Sequence, residues 1–237
     1  MGENEKKLAG VIMWNEAAEK FKDVQDTSDT AIINQQLVES YFGDLSAKKI
    51  LDIGCGYGWY SNIFRQKGAE VVGCDGADKM IELARENYPE CKFELVDIQK
   101  KLPYKDESFD MVFCNQVLMD IEDIDIVQSE ISRVLKNHGT YFWGIVHPAF
   151  YFGEWNLDSK GCRVSRNVSH YTKNFKFLQN LSWGKTIHYH RPVSYYVNNA
   201  ASHQLFTVEM LEPGVSDRAM NRSDLSVFLF VKCCKIK

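Results

Sequence analysis

Short apolar runs alternate along the chain with amphipathic segments of helical periodicity. The apolar runs lie at residues 50–53, 70–75, 92–97, 109–114 and 140–146. This alternation predicts a parallel β-sheet whose strands are joined by right-handed helical crossovers. Ligands of such sheets bind outside the carboxyl ends of the strands. The residues that directly follow each strand are therefore the first candidates for a functional site.

The pattern differs on either side of this alternating core. Residues 8–24 and 31–42 are amphipathic and predict two helices ahead of the first strand. The segment 148–191 is rich in Tyr, Phe, Trp and His, and because a structureless loop of that length is improbable, a folded insertion is expected there. The chain then closes with a helix at 194–201, a strand at 205–211, an exposed connection at 212–224 and a strand at 225–234.

A glycine-rich turn follows the first strand, in the run Asp52-Ile-Gly-Cys-Gly-Tyr-Gly58. Its three glycines lack Cβ atoms, so the backbone can turn sharply and a ligand can lie directly against it. The next helix directs its N-terminal N–H groups toward that ligand. A dinucleotide fingerprint would need its third glycine at position 59, where this chain has Trp59. A pyrophosphate site of that type is therefore disfavoured.

An acidic residue, Asp75, ends the second strand. It lies about 20 residues beyond the glycine turn, where a carboxylate would bind ribose hydroxyls. The alternative for Asp75 is a helix N-cap, which is a common role for Asp after a strand. The turn and the carboxylate together favour an adenosine-containing ligand.

These features resemble motif I of the class I S-adenosylmethionine-dependent methyltransferases, and segments 73–80, 96–98 and 109–115 are similar to motifs II, III and IV. The resemblance covers residues 49–146. It implies an α/β fold: a Rossmann-like, seven-stranded, mostly parallel sheet with an antiparallel last strand, an N-terminal helical lid and an insertion after strand five. It implies a single methyltransferase domain over 1–237, divided into a lid (1–45), a cofactor-binding core (46–147), a substrate insertion (148–191) and a closing helix and β-hairpin (192–237).

The resemblance also implies the cofactor, S-adenosyl-L-methionine, with S-adenosyl-L-homocysteine as its product. Asp52 would help to hold the methionine amino group, Asp97 would bond the adenine amino group, and Ile98 would contact the adenine ring through its backbone. An ordinary core position is the alternative for Trp14, and a loop or cap position is the alternative for Asp97. The residues expected at the cofactor are Trp14, Asp52, Gly54, Cys55, Gly56, Gly58, Asp75, Gly76, Met80, Asp97, Ile98, Asn115 and Gln116.

His147 is the candidate general base, because it follows strand five and a histidine titrates near neutral pH. A hydrogen-bonded structural histidine is the alternative. Expected substrate contacts in the insertion are Tyr151, His188, His190 and Arg191. A metal site at the two insertion histidines is disfavoured, because no third ligand stands at a telling spacing, and no metal is expected.

The composition and one missing motif limit the classes of methyl acceptor that are expected. The 237 residues carry a net charge of −4 and contain no lysine or arginine block, which disfavours a nucleic-acid substrate. Position 115 opens Asn-Gln-Val-Leu rather than the Asn/Asp-Pro-Pro-Tyr/Phe signature of enzymes that methylate exocyclic or amide nitrogens. We therefore expect methyl transfer to an O, N or C atom of a small organic molecule, without a nucleic-acid partner; a homodimer is left open.

The cysteines and the apolar runs indicate the cellular compartment in which the protein is expected. Seven cysteines without a C-x-x-C pair predict reduced thiols, and neither a secretory signal nor a run long enough to span a membrane is apparent. We expect a cytoplasmic enzyme that does not bind membranes. Two other functions stay open: a non-catalytic module that binds S-adenosylmethionine, and a nicotinamide-dependent oxidoreductase, which Trp59 already disfavours.

Overall fold

Helices and strands alternate as the pattern predicted in this computed structural model, which describes residues 3–161, 163–214 and 225–237. The helices of this part of the chain are α1 (Glu3–Gln25), α2 (Asp29–Tyr41), α3 (Trp59–Gln66), α4 (Asp78–Asn87), α5 (Ile124–Val134) and α6 (Val193–Ser202). The strands are β1 (Lys49–Ile53), β2 (Glu70–Asp75), β3 (Lys92–Leu95), β4 (Phe109–Asn115), β5 (Leu135–Val146), β6 (Trp155–Leu157), β7 (Arg163–Arg166), β8 (Phe175–Leu181), β9 (Gly184–His190), β10 (Leu205–Leu211) and β11 (Phe228–Lys235). A 3₁₀ turn at Leu118–Asp120 links β4 to α5.

The central sheet has seven strands in the order β10-β11-β5-β4-β1-β2-β3. Neighbouring strands from β5 to β3 pair in parallel, whereas β11 pairs antiparallel with both β5 and β10. The predicted fold class is therefore confirmed. Because the chain leaves β1 for β2 on one side and returns as β4 on the other, a crevice opens at the carboxyl ends of these strands.

An apolar core on both faces of the sheet holds the strands in place. Ile50, Leu51 and Ile53 of β1 are fully buried, as expected of a strand covered on both sides. Phe113 of β4 stacks parallel to Phe142 of β5, with ring centroids 5.9 Å apart. Burial of each such ring stabilises the fold by about 2–3 kcal/mol. The rigid sheet thus fixes where the strand ends, and hence the site, will lie.

Strand β5 begins earlier than its apolar run predicts. The run starts at residue 140, but the strand starts at Leu135, which pairs with Phe109. The strand includes the polar segment 136–139 by way of a bulge, in which His138 has a φ of 60°. The predicted connection at 212–224 falls mostly on residues 215–224, which lie outside the described ranges.

The segment between β5 and α6 contains two antiparallel hairpins, β6–β7 and β8–β9. In the second, Leu181 pairs with Gly184, so Ser182 and Trp183 form a two-residue turn at its tip. This hairpin packs against α1. A Cβ atom on Gly184 would lie 2.9 Å from Cβ of Ala17, so glycine permits the close approach. Helix α1 and the hairpin together cover the carboxyl ends of the central strands.

Candidate functional site

A cavity of about 410 Å³ lies over the carboxyl ends of β1, β2 and β4. Its walls come from α1, α2, the glycine turn, the segments that follow β2, β3 and β4, and the β8–β9 hairpin. A volume in this range suits a ligand the size of a nucleoside derivative or a drug. The cavity is therefore the candidate site, at the position that the strand pattern indicated.

The three glycines of the turn have positive φ angles, but for different reasons. A Cβ atom on Gly54 would lie 2.3 Å from Cγ2 of Val117, and one on Gly58 would lie 2.6 Å from Cζ of Phe93. These two glycines are required by protein packing. At Gly56, with a φ of 52°, the nearest atom to such a Cβ would be Sδ of Met80 at 4.0 Å, and Gly56 itself lines the cavity. The space beside Gly56 therefore belongs to the cavity.

Asp75 joins the glycine turn to the start of α4. Its Oδ2 atom accepts a hydrogen bond from the Gly56 N–H at 3.0 Å, and its Oδ1 atom accepts one from the Ala77 N–H at 2.9 Å. Burial raises the pKa of Asp75, although these N–H groups act in the opposite direction. The carboxylate also lines the cavity. Asp75 thus makes backbone contacts like those of the capping role considered as its alternative, and it also borders the cavity in which a ligand could bind.

Asp52 and Asn115 form a polar group at the ends of β1 and β4. Asp52 is buried and accepts a hydrogen bond from Oγ of Ser61 at 2.6 Å; burial raises its pKa to about 7. The side-chain N–H of Asn115 donates to Oδ1 of Asn34 at 2.7 Å, and the hydroxyl of Tyr60 donates to the same oxygen at 2.5 Å. A cationic group bound beside Asp52 would favour its ionised form.

A second wall of the cavity forms after β2 and β3. Met80 and Ile98 are buried and apolar, and both line the cavity. Asp97 lines it as well; its Oδ1 atom accepts from the Gln99 N–H at 3.0 Å, and it pairs with Lys100 at 2.9 Å. An apolar slot with a carboxylate at its rim can hold a flat base with an exocyclic amino group.

Trp14 connects three parts of the molecule at the opposite wall. Its ring stacks on Trp183 at the tip of the β8–β9 hairpin, with centroids 5.0 Å apart, and its indole N–H donates to Oδ2 of Asp120 at 3.2 Å. Asp120 and Asn34 were not among the predicted site residues, and Trp183 was expected only as one of the aromatic residues of the insertion. Asp120 carried one usable signal, because it lies shortly after the strand 109–115 and within an apolar run.

Most of the predicted site residues surround one cavity, and four do not line it. Those that line it are Trp14, Asp52, Gly54, Cys55, Gly56, Asp75, Gly76, Met80, Asp97, Ile98, Asn115, Gln116, Tyr151 and His188. Those that do not are Gly58, His147, His190 and Arg191. Gly58 instead gives room to Phe93, as described above.

His147 uses both ring nitrogens within the protein. Its Nδ1 atom accepts from the Ala149 N–H at 3.1 Å, which leaves Nε2 to donate to Oε1 of Glu212 at 2.7 Å. The ring stacks on Phe150, with centroids 4.4 Å apart. Burial lowers the pKa of His147, partly offset by Glu212. Because neither nitrogen has a free lone pair toward the cavity, the geometry favours the structural alternative over a general base.

We expect His147→Ala to lower the stability of the protein rather than its turnover. Loss of two hydrogen bonds at a buried ring should reduce the free energy of unfolding by about 1–3 kcal/mol. Denaturant unfolding and turnover per folded molecule would be measured on the same preparation. A fall in kcat of about 100-fold with unchanged stability would restore the general-base role.

His190 and Arg191 are directed away from the cavity. Nε2 of His190 donates to the Tyr171 carbonyl at 3.0 Å, and its ring stacks on Phe175. The buried guanidinium of Arg191 donates to the carbonyls of Ile121 at 2.7 Å and Glu122 at 2.5 Å. The two side chains thus anchor the end of β9, and Arg191 supports the loop that carries Asp120; direct substrate contacts by them are not supported.

His188, in contrast, lines the cavity and is 3% exposed. Its Nδ1 atom is buried and has no hydrogen-bond partner among the described residues, and its ring contacts are with Phe152 and Phe177. Burial, with the nearby His190 and Arg191, lowers its pKa to about 3. The ring is therefore neutral at physiological pH and can accept or donate a hydrogen bond to a ligand.

The cavity is acidic. The carboxylates that line it are Asp52, Asp75, Asp97, Asp120 and Glu122, whereas no lysine or arginine of the described residues does so. A potential of this sign favours cationic or neutral ligands and disfavours phosphates. In the same part of the chain, no three His, Cys, Asp or Glu side chains gather as a metal ion would require, and no helix is long and apolar enough to cross a membrane.

Comparison with known proteins agrees with this geometry. Residues 51–143 match the protein family described as "Methyltransferase domain". The chain is similar to the solved structure of a putative S-adenosylmethionine-dependent methyltransferase from Listeria monocytogenes, with a TM-score of 0.75 and 20% identity over 87% of this chain and 100% of that one. The match over residues 51–143 agrees with the methyltransferase motifs found in the sequence, and the structural likeness confirms the Rossmann-like fold.

Two curated proteins are similar in sequence. An uncharacterized protein of Haemophilus influenzae is 29% identical over 227 residues, which cover 87% of this chain and 88% of that protein. A malonyl-[acyl-carrier protein] O-methyltransferase of Hamiltonella defensa is 33% identical over 97 residues, which cover 41% of this chain and 37% of that enzyme. The match to the named enzyme is thus confined to part of each protein.

Proposed function

We propose that this chain, which carries a methyltransferase domain on the class I fold, is an S-adenosylmethionine-dependent methyltransferase that acts on an O, N or C atom of a small organic molecule. The observation that carries the proposal is the open space beside the bare backbone of Gly56, bordered by Asp75 on the same cavity wall. A ligand that presses against a glycine and offers hydroxyls to a carboxylate fits this arrangement.

The described residues suit the separate parts of the cofactor. Asp75 can accept hydrogen bonds from ribose hydroxyls, and the slot of Met80 and Ile98 can hold the adenine ring, with Asp97 at its amino group. Asp52 lies toward the methionine end, together with Asn115. S-adenosylmethionine carries a sulfonium and an ammonium group, so an acidic cavity without lysine or arginine in its described lining complements its charge.

The protein contributes alignment and exclusion of water to such a reaction. When bound, the cofactor supplies the electrophilic methyl group, so few side chains need to take part in the chemistry. Helix α1 and the β8–β9 hairpin cover the strand ends, and the Trp14–Trp183 stack joins these two covers. A covered cavity holds the acceptor in line with the methyl group and keeps competing water away.

The two alternative functions fit less well. A nicotinamide dinucleotide would place its pyrophosphate in a cavity that is lined by carboxylates and by no described lysine or arginine. A module that only binds the cofactor would not need a further compartment, yet Tyr151, Gln179 and His188 line the cavity from the insertion. These side chains belong to the insertion, whereas the expected cofactor contacts belong to other segments of the chain. Residues that bind a separate methyl acceptor would be divided from the cofactor contacts in this way.

Calorimetric titration tests the proposal directly. The protein should bind S-adenosylhomocysteine and should not bind NAD; binding of NAD alone would overturn the proposed function.

Asp75→Ala should weaken S-adenosylhomocysteine binding by about 1–3 kcal/mol, because charged hydrogen bonds to the ribose are lost. Asp78→Ala is the matched control, since Asp78 is an exposed acid in the first turn of α4 and does not line the cavity. Equal affinity of the two folded variants would leave Asp75 with a capping role only.

A further inference from the structure

We propose that the methyl acceptor is an amine, held at the insertion side of the cavity between the carboxylate of Asp120 and the imidazole of His188. This inference rests on the proposed function and adds the chemical class of the substrate. Both side chains line the same cavity, and the strand that carries His188, β9, packs against the 3₁₀ turn that carries Asp120.

Asp120 is a carboxylate without a cationic partner among the described residues. Its hydrogen bond comes from the neutral indole of Trp14 at 3.2 Å. Arg191 packs against the same turn, but its guanidinium donates to backbone carbonyls, including that of Leu118 at 3.4 Å. Burial raises the pKa of Asp120 to about 8. The unliganded protein therefore holds this carboxyl mostly protonated, and a ligand that brings the missing positive charge would stabilise its ionised form.

Asp120 belongs to the acceptor side of the cavity rather than to the cofactor side. Trp14, which donates to it, stacks on Trp183 at the tip of the β8–β9 hairpin, and β9 packs against the 3₁₀ turn that carries Asp120. Asp52, in contrast, lies at the end of β1 and bonds Ser61 of α3. Asp120 therefore lies where a second substrate could bind beside the proposed cofactor.

The imidazole of His188 indicates a ligand at this place independently of Asp120. Its ring is buried and borders the cavity, and its Nδ1 atom lacks a hydrogen-bond partner among the described residues. Because the ring stays neutral, it offers a lone pair to an N–H group and adds no positive charge that would repel a cation. An amine provides the two or three N–H donors that a carboxylate and an imidazole can accept together.

Other acceptor classes satisfy these groups less well. A carboxylic acid or a phosphate would bring a second negative charge beside Asp120, with no lysine or arginine of the described lining to offset it. An alcohol has a single O–H donor for two acceptors. The aromatic rings of Trp14, Phe21 and Trp183 also line the cavity, and aromatic faces attract an ammonium ion.

The chemistry balances without a further reactant. An ammonium group must lose one proton before it can react, and the Asp120 carboxylate is placed to take it. The nitrogen lone pair then bonds the methyl carbon while the electron pair of the breaking carbon–sulfur bond stays on sulfur. The methylated ammonium product leaves, Asp120 returns its proton to water, and one proton is released for each methyl group transferred.

The test uses the full chain saturated with S-adenosylhomocysteine and three probes of similar shape: 2-phenylethylamine, 2-phenylethanol and phenylacetate. By calorimetry, the amine should bind about 10-fold tighter than either of the others. Asp120→Asn should weaken amine binding by about 10-fold and leave the alcohol within about 2-fold. His188→Phe should weaken the amine by about 5-fold, as expected for one lost hydrogen bond.

Asp123→Asn is the matched control, because Asp123 is an exposed acid at the N-cap of α5 that asparagine can replace. It should leave the affinity for all three probes unchanged. The inference is overturned if phenylacetate binds as tightly as the amine, if Asp120→Asn leaves amine binding intact, or if none of the probes binds the loaded protein. A protein that fails to bind S-adenosylhomocysteine would instead overturn the proposed function.

Discussion

Gly56→Ala should weaken S-adenosylhomocysteine binding by about 100-fold, a loss near 2.7 kcal/mol, while the protein stays folded. The added Cβ would meet no protein atom closer than Sδ of Met80 at 4.0 Å, so it would project into the cavity. There it would occupy the space into which the ligand must fit. Calorimetric affinity and denaturant unfolding, measured on the same variant, would separate the two effects.

Two other glycines provide controls. Gly161 lies in the insertion, has a φ of 78° and has no atom within 4 Å of the place that a Cβ would take. Gly161→Ala therefore reports the cost of backbone strain alone, about 1–2 kcal/mol. Gly54→Ala would drive its Cβ into Val117 at 2.3 Å and should destabilise the fold itself by about 2–5 kcal/mol. If Gly56→Ala binds the ligand as the wild type does, the turn is not the cofactor cradle.

The stability of the unliganded protein should fall more steeply from pH 6 to pH 9 in the wild type than in Asp120→Asn. Burial raises the pKa of Asp120 from 3.8 to about 8, so the folded protein keeps a proton that the unfolded chain has lost. The unfolded state then binds fewer protons over this window, and the free energy of unfolding decreases as the pH rises. The two proteins should differ in this decrease by about 2–3 kcal/mol.

Urea unfolding at each pH would measure the difference. The buried Asp52 carboxyl, whose pKa is also raised, and the buried histidines are common to both proteins, so their contributions largely cancel. Parallel curves for the two proteins would mean that Asp120 titrates as an ordinary carboxyl, which would contradict its placement in a site without a cationic partner.

The location of the residues proposed at the cofactor was predictable, because the strand pattern determines which residues end at the same sheet edge. Gly56, Asp75 and Asp97 follow apolar runs, and the carboxyl ends of parallel strands meet at one edge whatever the surroundings. The backbone therefore carries these residues to the cavity. Gly58 shows the limit of this prediction: it stands in the glycine turn, but its bare Cα faces Phe93 and it does not line the cavity.

The acceptor side depends on side-chain direction in the insertion, which no local pattern specifies. His188 and His190 alternate on one face of β9, yet only His188 borders the cavity, because β9 extends past it and His190 contacts Tyr171 and Phe175. His147 follows strand five as a catalytic residue would, but a backbone N–H and Glu212 engage its ring. Asp120 was not among the predicted site residues, and only the fold brings Trp14 against it.

The place of β11 in the sheet has a consequence for synthesis on the ribosome. This strand lies between β5 and β10, although both precede it in the chain. Until residues 228–235 emerge, β5 presents an open edge that includes the apolar side chains of Phe142, Trp143 and Ile145, and β10 has no strand to join. The nascent protein must therefore keep an unpaired sheet edge from aggregating while residues 147–227 are synthesised, and capture by a chaperone would be most valuable during that interval.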